Sequence, residues 1–176
     1  MAAAAGCATA AERELVVESA CREGQPNGAY TVRMRGGQPR IVGAFHDGVR
    51  TGTFIFWNAN GARVAVIPYE DDVPNGTIAL WHAGGRGVRS LARRLEAPMA
   101  RGRPHGTWRA WHANGRLRYE VTYDRGTLGR AAAWEPNGRA LTASEARRAI
   151  EAERRREDAD LARLAAMIQE HRPRCE

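Results

Sequence analysis

The chain has no lysine. All 27 of its basic residues are arginine. A GC-rich genome produces that bias, and so would a selected surface, because the guanidinium fork binds carboxylates and phosphates as lysine cannot. Cysteine is also scarce: Cys7, Cys21 and Cys175 are too few for a disulfide framework and lack metal-ligand spacing. No run is apolar for long enough to span a membrane as a helix. No Ser/His/Asp or Cys/His grouping stands in a recognisable context, and no glycine-rich phosphate loop opens a helix. These absences argue for a protein that is not an enzyme and carries no cofactor. His82 and His112 each follow a tryptophan, but two histidines fall short of a metal site. The acidic Glu70-Asp71-Asp72 cluster reads as a solvated loop.

What is present suffices for folding: 43% of the residues are hydrophobic, which is ordinary for a globular chain. The net charge of +7 is unevenly spread. Residues 25–142 hold seventeen Arg against eight Asp or Glu, whereas residues 143–176 are balanced at eight of each. The surplus on the first segment suits an anionic surface or an acidic protein. No basic run or fold motif points to nucleic acid.

A frame of ten residues recurs within that segment: Gly, an apolar residue two places on, Trp five places on, and Gly nine places on. It reads Gly52, Phe54, Trp57, Gly61; Gly76, Ile78, Trp81, Gly85; Gly106, Trp108, Trp111, Gly115; and Gly129, Ala131, Trp134, Gly138. A degenerate copy, Gly28, Tyr30, Arg33, Gly37, precedes them. One long interval between copies reflects an insertion within residues 86–96. Between copies an apolar residue is followed three places on by Gly, as in Phe45/Gly48, Met99/Gly102 and Tyr123/Gly126; after Tyr69 the Gly is replaced by Asp72.

Asn60-Gly61, Asn114-Gly115 and Asn137-Gly138 satisfy a two-residue type I′ turn, and Gly36-Gly37 and Gly84-Gly85 hold the same place. Aromatic stretches precede these turns and β-branched stretches follow, and both favour strands. The expected fold is therefore mainly β: about five consecutive hairpins in an elongated open antiparallel sheet. Trp57, Trp81, Trp108, Trp111 and Trp134, with Phe54, Tyr69 and Tyr123, form its packing ladder or a binding stripe.

The stretch from Phe45 through Gly48, Gly52 and Trp57 to Gly61 resembles a MORN-type repeat, in the bacterial variant found in antitoxin-like proteins. Tyr123 through Gly126 and Gly129 to Gly138 fits the same pattern. The resemblance covers residues 28–141. It implies a non-catalytic scaffold that contacts another protein or a membrane. It departs from the pattern in the first copy, at Asp72 and in the insertion.

Residues 142–176 follow as a charged helix and tail. Thr142-Ala143-Ser144-Glu145 is a capping box, and no Gly or Pro interrupts the chain until Pro173, so the helix runs from about Ala143 to Glu170. Ala146, Ala149 and Ile150, then Leu161, Leu164, Ala165 and Ile168, fall at helical spacing. Residues 151–160 between them are almost wholly charged, which predicts a helix docked at both ends, or only at its far end, with a solvated middle. Residues 1–24 are alanine-rich. Ala4-Ala5-Gly6-Cys7 resembles a lipoprotein box without the basic and apolar residues that should precede it. The reading with Cys7 lipidated is a membrane-anchored envelope protein, in which Cys21 and Cys175 could pair. That is the alternative to the leading reading, an untethered module that meets its partner in the cytoplasm. Open edges also leave association between copies of the chain open.

Overall fold

The computed structural model describes residues 15–83 and 92–175. Cys7, Gly85 and residues 86–91 of the insertion lie outside them. The strands are β1 Leu15–Arg22, β2 Gln25–Met34, β3 Pro39–His46, β4 Val49–Trp57, β5 Arg63–Glu70, β6 Val73–Pro74, β7 Gly76–Trp81, β8 Arg93–Ala100, β9 Arg103–Pro104, β10 Gly106–Trp111, β11 Leu117–Asp124 and β12 Thr127–Ala133. They form one antiparallel sheet in chain order, with the two-residue β6 and β9 pairing β5 and β8 beside the main path. Among the described residues one helix, α1 Ala143–Glu170, completes the fold. The sheet is longer than the glycine frame, because β1 adds a strand ahead of the degenerate copy.

One face of the sheet is the core. Val32, Ile41, Phe56, Ala65, Leu80, Leu95, Ala110, Tyr119 and Ala133 pair in that order, each directly opposite the next across nine strands. All nine are buried. Beside them lie the second frame slots Tyr30, Phe54, Ile78 and Trp108, also buried. Gly43 leaves room for the Phe54 ring, which a Cβ there would meet at 2.5 Å.

The helix covers this face from edge to edge. Its 28 residues reach about 42 Å at 1.5 Å each, and nine strand-to-strand steps give about 43 Å. The capping box is present as expected: Thr142 accepts from the Glu145 amide, and Glu145 accepts from the Thr142 amide. At the far end the Tyr30 hydroxyl donates to the His171 carbonyl at 3.1 Å, and Arg172 donates to the Gly48 carbonyl at 2.6 Å. Cys21 and Cys175 are joined, with Cα atoms 5.7 Å apart, tying the end of the chain to β1.

Two expectations need correction. The Asn-Gly turns are not type I′, because Gly61, Gly115 and Gly138 have positive φ while Asn60, Asn114 and Asn137 do not. Gly61 N–H donates to the Asn58 carbonyl and Asn58 N–H to the Ala62 carbonyl. That is a three-residue loop, a type I turn closed by a left-handed glycine and followed by a bulge. The bulge appears as a register shift at Phe56/Trp57, and the same shift recurs at Ala110/Trp111. The two-residue turns with both φ positive lie on the other side of the sheet, at Glu23-Gly24, Asp47-Gly48, Asp71-Asp72, Arg101-Gly102 and Arg125-Gly126. Asp72 keeps the glycine conformation at φ 66°, and its carboxylate takes the Arg50 amide and guanidinium at 2.9 and 2.8 Å.

The second correction concerns the helix. Its charged middle is docked, because Glu153, Glu157 and Asp160 recur at helical spacing on the sheet side. Glu153 pairs with Arg118 at 2.5 Å and Asp160 with Arg94 at 2.6 Å. Glu157 is 4% exposed, and the Tyr119 hydroxyl donates to its carboxylate. Arg154 lies over the Trp108 ring at 4.5 Å and donates to the Tyr123 hydroxyl at 2.7 Å. The seam is polar and each of its three carboxylates is paired, while the Nε–H groups of Arg94 and Arg154 are buried without an acceptor among the described residues.

Candidate functional site

The strand alternation that buries one face bares the other. Directly opposite one another across it run Glu18, Thr31, Val42, Ile55, Val66, Ala79, Glu96, Arg109, Glu120 and Ala132. The row changes character half-way. Val42, Ile55 and Val66 are only half-buried, and nothing among the described residues covers them. Beyond Ala79 the row is charged, with Arg109 on Glu120 at 2.7 Å.

The frame tryptophans flank this row at the bulged ends of the strands. Trp57 stands opposite Arg63, Trp81 opposite Arg93 and Trp111 opposite Leu117. Trp81 is 8% exposed because two guanidinium groups clamp it: Arg63 at 4.1 Å and Arg93 at 5.1 Å from the ring centre. Such stacking covers the indole while leaving the charges in water. Trp57, Trp111 and Trp134 are half-exposed. Trp108 differs in being 1% exposed under the helix, its indole N–H donating to the Pro98 carbonyl at 2.9 Å. Phe54, Tyr69 and Tyr123 are buried on that same side.

The expected aromatic ladder thus divides into two. Phe54, Tyr69, Trp108 and Tyr123 pack the core, while Trp57, Trp81, Trp111 and Trp134 lie at the margin of the bare face. Gly61, Gly115 and Gly138 close the loops beside them.

His82 and His112 are structural clips. The Nε2 of His82 bonds the Trp111 carbonyl at 2.9 Å, and the Nε2 of His112 bonds the Trp134 carbonyl at 2.9 Å. A carbonyl only accepts, so Nε2 carries the proton in both rings. The Nδ1 of His112 accepts from Arg118 at 3.2 Å. Each clip joins one copy to the next, a role the Trp-His spacing could have suggested. Among the described residues, no group of three or more His, Cys, Asp or Glu is placed to hold a metal. No helix among them is long and apolar enough to cross a membrane.

No protein-family model matches this chain, and no curated protein matches it.

The helix seam holds the strongest electrostatic perturbation. Burial pushes the Glu157 carboxyl up to about 7, against the Tyr119 hydrogen bond and the charges of Arg94 and Arg154, which favour ionisation. Burial and the neighbouring carboxylate raise the Tyr119 hydroxyl far above its usual range. Glu157 acts inside the fold: it is buried against Tyr119 and shielded by the helix that carries it.

Proposed function

We propose that the chain is a non-catalytic, MORN-like repeat scaffold whose bare sheet face engages another protein. The carrying observation is the half-buried row Val42, Ile55 and Val66, flanked by marginal tryptophans on a face that the helix leaves open. A rigid sheet with apolar residues at its centre and Arg/Glu pairs around them has the anatomy of a transient interface. Its charged half sets orientation more than affinity. An antitoxin-like or assembly role is one form this scaffold could take.

The test is partner capture in cells with a photo-crosslinker at Thr53, comparing the natural chain with Ile55→Arg and Val66→Arg. These variants change no core side chain, so circular dichroism should match the natural protein. Crosslinked partners that disappear in both variants support the reading. The same partners retained in folded variants would place the interface elsewhere.

The second reading is a lipid-anchored envelope protein that uses the same face on envelope components or an anionic membrane surface. The Cys21–Cys175 bond favours it, because such bonds persist in oxidising compartments. Palmitate labelling of the gene expressed with its native upstream DNA, beside Cys7→Ala, decides between them. Label lost in the variant selects the envelope reading, and an unlabelled soluble chain selects the untethered scaffold.

A further inference from the structure

Away from the bare face, a cleft of about 480 Å³ lies between α1 and the sheet. Val64 and Leu80 wall it on one side, and Leu164 and Met167 on the other. Three guanidinium groups, Arg40, Arg94 and Arg163, share its lining with one carboxylate, Asp160. Asp160 is divided between two of them: one oxygen takes Arg94 at 2.6 Å, the other Arg163 at 2.7 Å. The Nε of Arg40 donates to the Trp57 carbonyl at 3.1 Å, and Arg40 makes no ion pair among the described residues. The Nε–H of Arg94 is buried and has no acceptor among them.

A buried donor without an acceptor is uncommon in a folded protein and asks for an explanation. Glu157, the preceding acid on the sheet side of the helix, is held by Tyr119. The cleft lining therefore carries two guanidinium charges more than it has carboxylates. Its volume lies within the range of small-molecule sites, which pair apolar walls with a few convergent polar groups. Arginine is also the side chain best suited to a planar or tetrahedral oxyanion.

We propose that this cleft binds a small amphipathic anion, a carboxylate or phosphate head carried on an aromatic or branched apolar body. The head lies between Arg40 and Arg94, where it supplies the acceptor that Asp160 leaves wanting. The body packs against Leu80, Leu164 and Met167. Trp57 and Trp81 border both the cleft and the bare face, but the cleft includes neither Ile55 nor Val66, so the two readings are tested on different side chains.

The test is a methyl-resolved NMR titration of the full chain with naphthoate and naphthyl phosphate as anionic probes and naphthalenemethanol as their neutral counterpart. Shifts confined to the Leu80, Leu164 and Met167 methyls locate the site. Either anion should bind about tenfold more tightly than the neutral probe, and Arg40→Ala should remove about that much of its affinity. Arg163→Ala should weaken it less, since that side chain is largely solvated. A preference for naphthoate assigns a carboxylate head, and a preference for naphthyl phosphate a phosphate head. Equal binding of the neutral probe, unchanged affinity in a folded Arg40→Ala variant, or shifts elsewhere would each overturn the proposal.

Discussion

Replacing Glu157 with Gln should flatten the pH dependence of stability between mildly acid and mildly alkaline conditions. Glu157 keeps its proton in the folded chain up to about pH 7, whereas an exposed carboxyl loses it near 4.5. Below the lower value the group is protonated in both states and contributes no pH dependence. Between the two values only the unfolded chain releases the proton, so stability falls as pH rises. Above the higher value both states are ionised and the full cost is in place. The gap between 4.5 and about 7 is worth roughly 3 kcal/mol, of which about 2–3 kcal/mol develops between about pH 5 and pH 8. The side chain is almost wholly buried, so solvent screening takes little from that figure.

Glutamine keeps the shape and an acceptor for the Tyr119 hydroxyl, and it cannot ionise. Glu18, Glu135 and Glu145 titrate below this window, held down by hydrogen bonds from Arg33, Arg139 and Thr142 respectively. They should therefore cancel in the comparison. Urea unfolding followed by tryptophan fluorescence, at several pH values, gives the two curves. The natural chain should lose about 2–3 kcal/mol relative to Glu157→Gln across the range, or roughly 4–12 °C in Tm for a chain of this size. Parallel curves would refute the reasoning, for they would mean that water or structural relaxation already solvates the carboxylate.

The disulfide closes a loop spanning 154 residues, so Cys21→Ser with Cys175→Ser should cost up to about 5 kcal/mol by the chain-entropy argument. Thermal unfolding with and without reductant checks it, and reductant should not affect the double variant. Gly43→Ala should destabilise by about 1–3 kcal/mol through overpacking, because the new methyl meets the Phe54 ring; urea unfolding measures this. Hydrogen exchange should give similar protection at β2, β5, β8 and β11, since one helix spans them all. A gradient of protection from one end of the sheet to the other would contradict that.

The strand content and the single helix were legible because glycine and tryptophan recur in register with the turns. The turn type was not. A two-residue turn at Asn60-Gly61 and the observed bulged loop both leave Phe56 opposite Ala65, so the pattern of inward residues cannot separate them. Asp72 was legible as a substituted glycine position, while its hold on Arg50 depends on a neighbouring strand turn. The charged middle of the helix was misread because only apolar residues were sought at helical spacing. Glu153, Glu157 and Asp160 keep that spacing equally well, and their partners Arg118, Tyr119 and Arg94 come from strands distant in sequence. The division of the aromatics between core and margin follows from the frame spacing: the second slot and the tryptophan stand three residues apart, so alternation along the strand sends Phe54 and Trp57 to opposite faces.

An open array of hairpins normally gains stability one unit at a time, each repeat depending only on its neighbours. Here the helix changes that logic. It enters from β12, where Leu141 N–H bonds the Ala133 carbonyl. It crosses each central strand pair and ends on β1 through the disulfide and on β2 through Tyr30. A hairpin cannot leave the sheet without uncovering the helix, and the helix cannot shift along the sheet without parting Glu153 from Arg118 and Asp160 from Arg94. Leaving a buried charge unpaired costs more than the pair itself contributes. The polar seam therefore adds little net stability while penalising every misplaced register. The charged middle of the helix is best understood as the element that fixes where the helix lies, and so which face of the sheet remains bare.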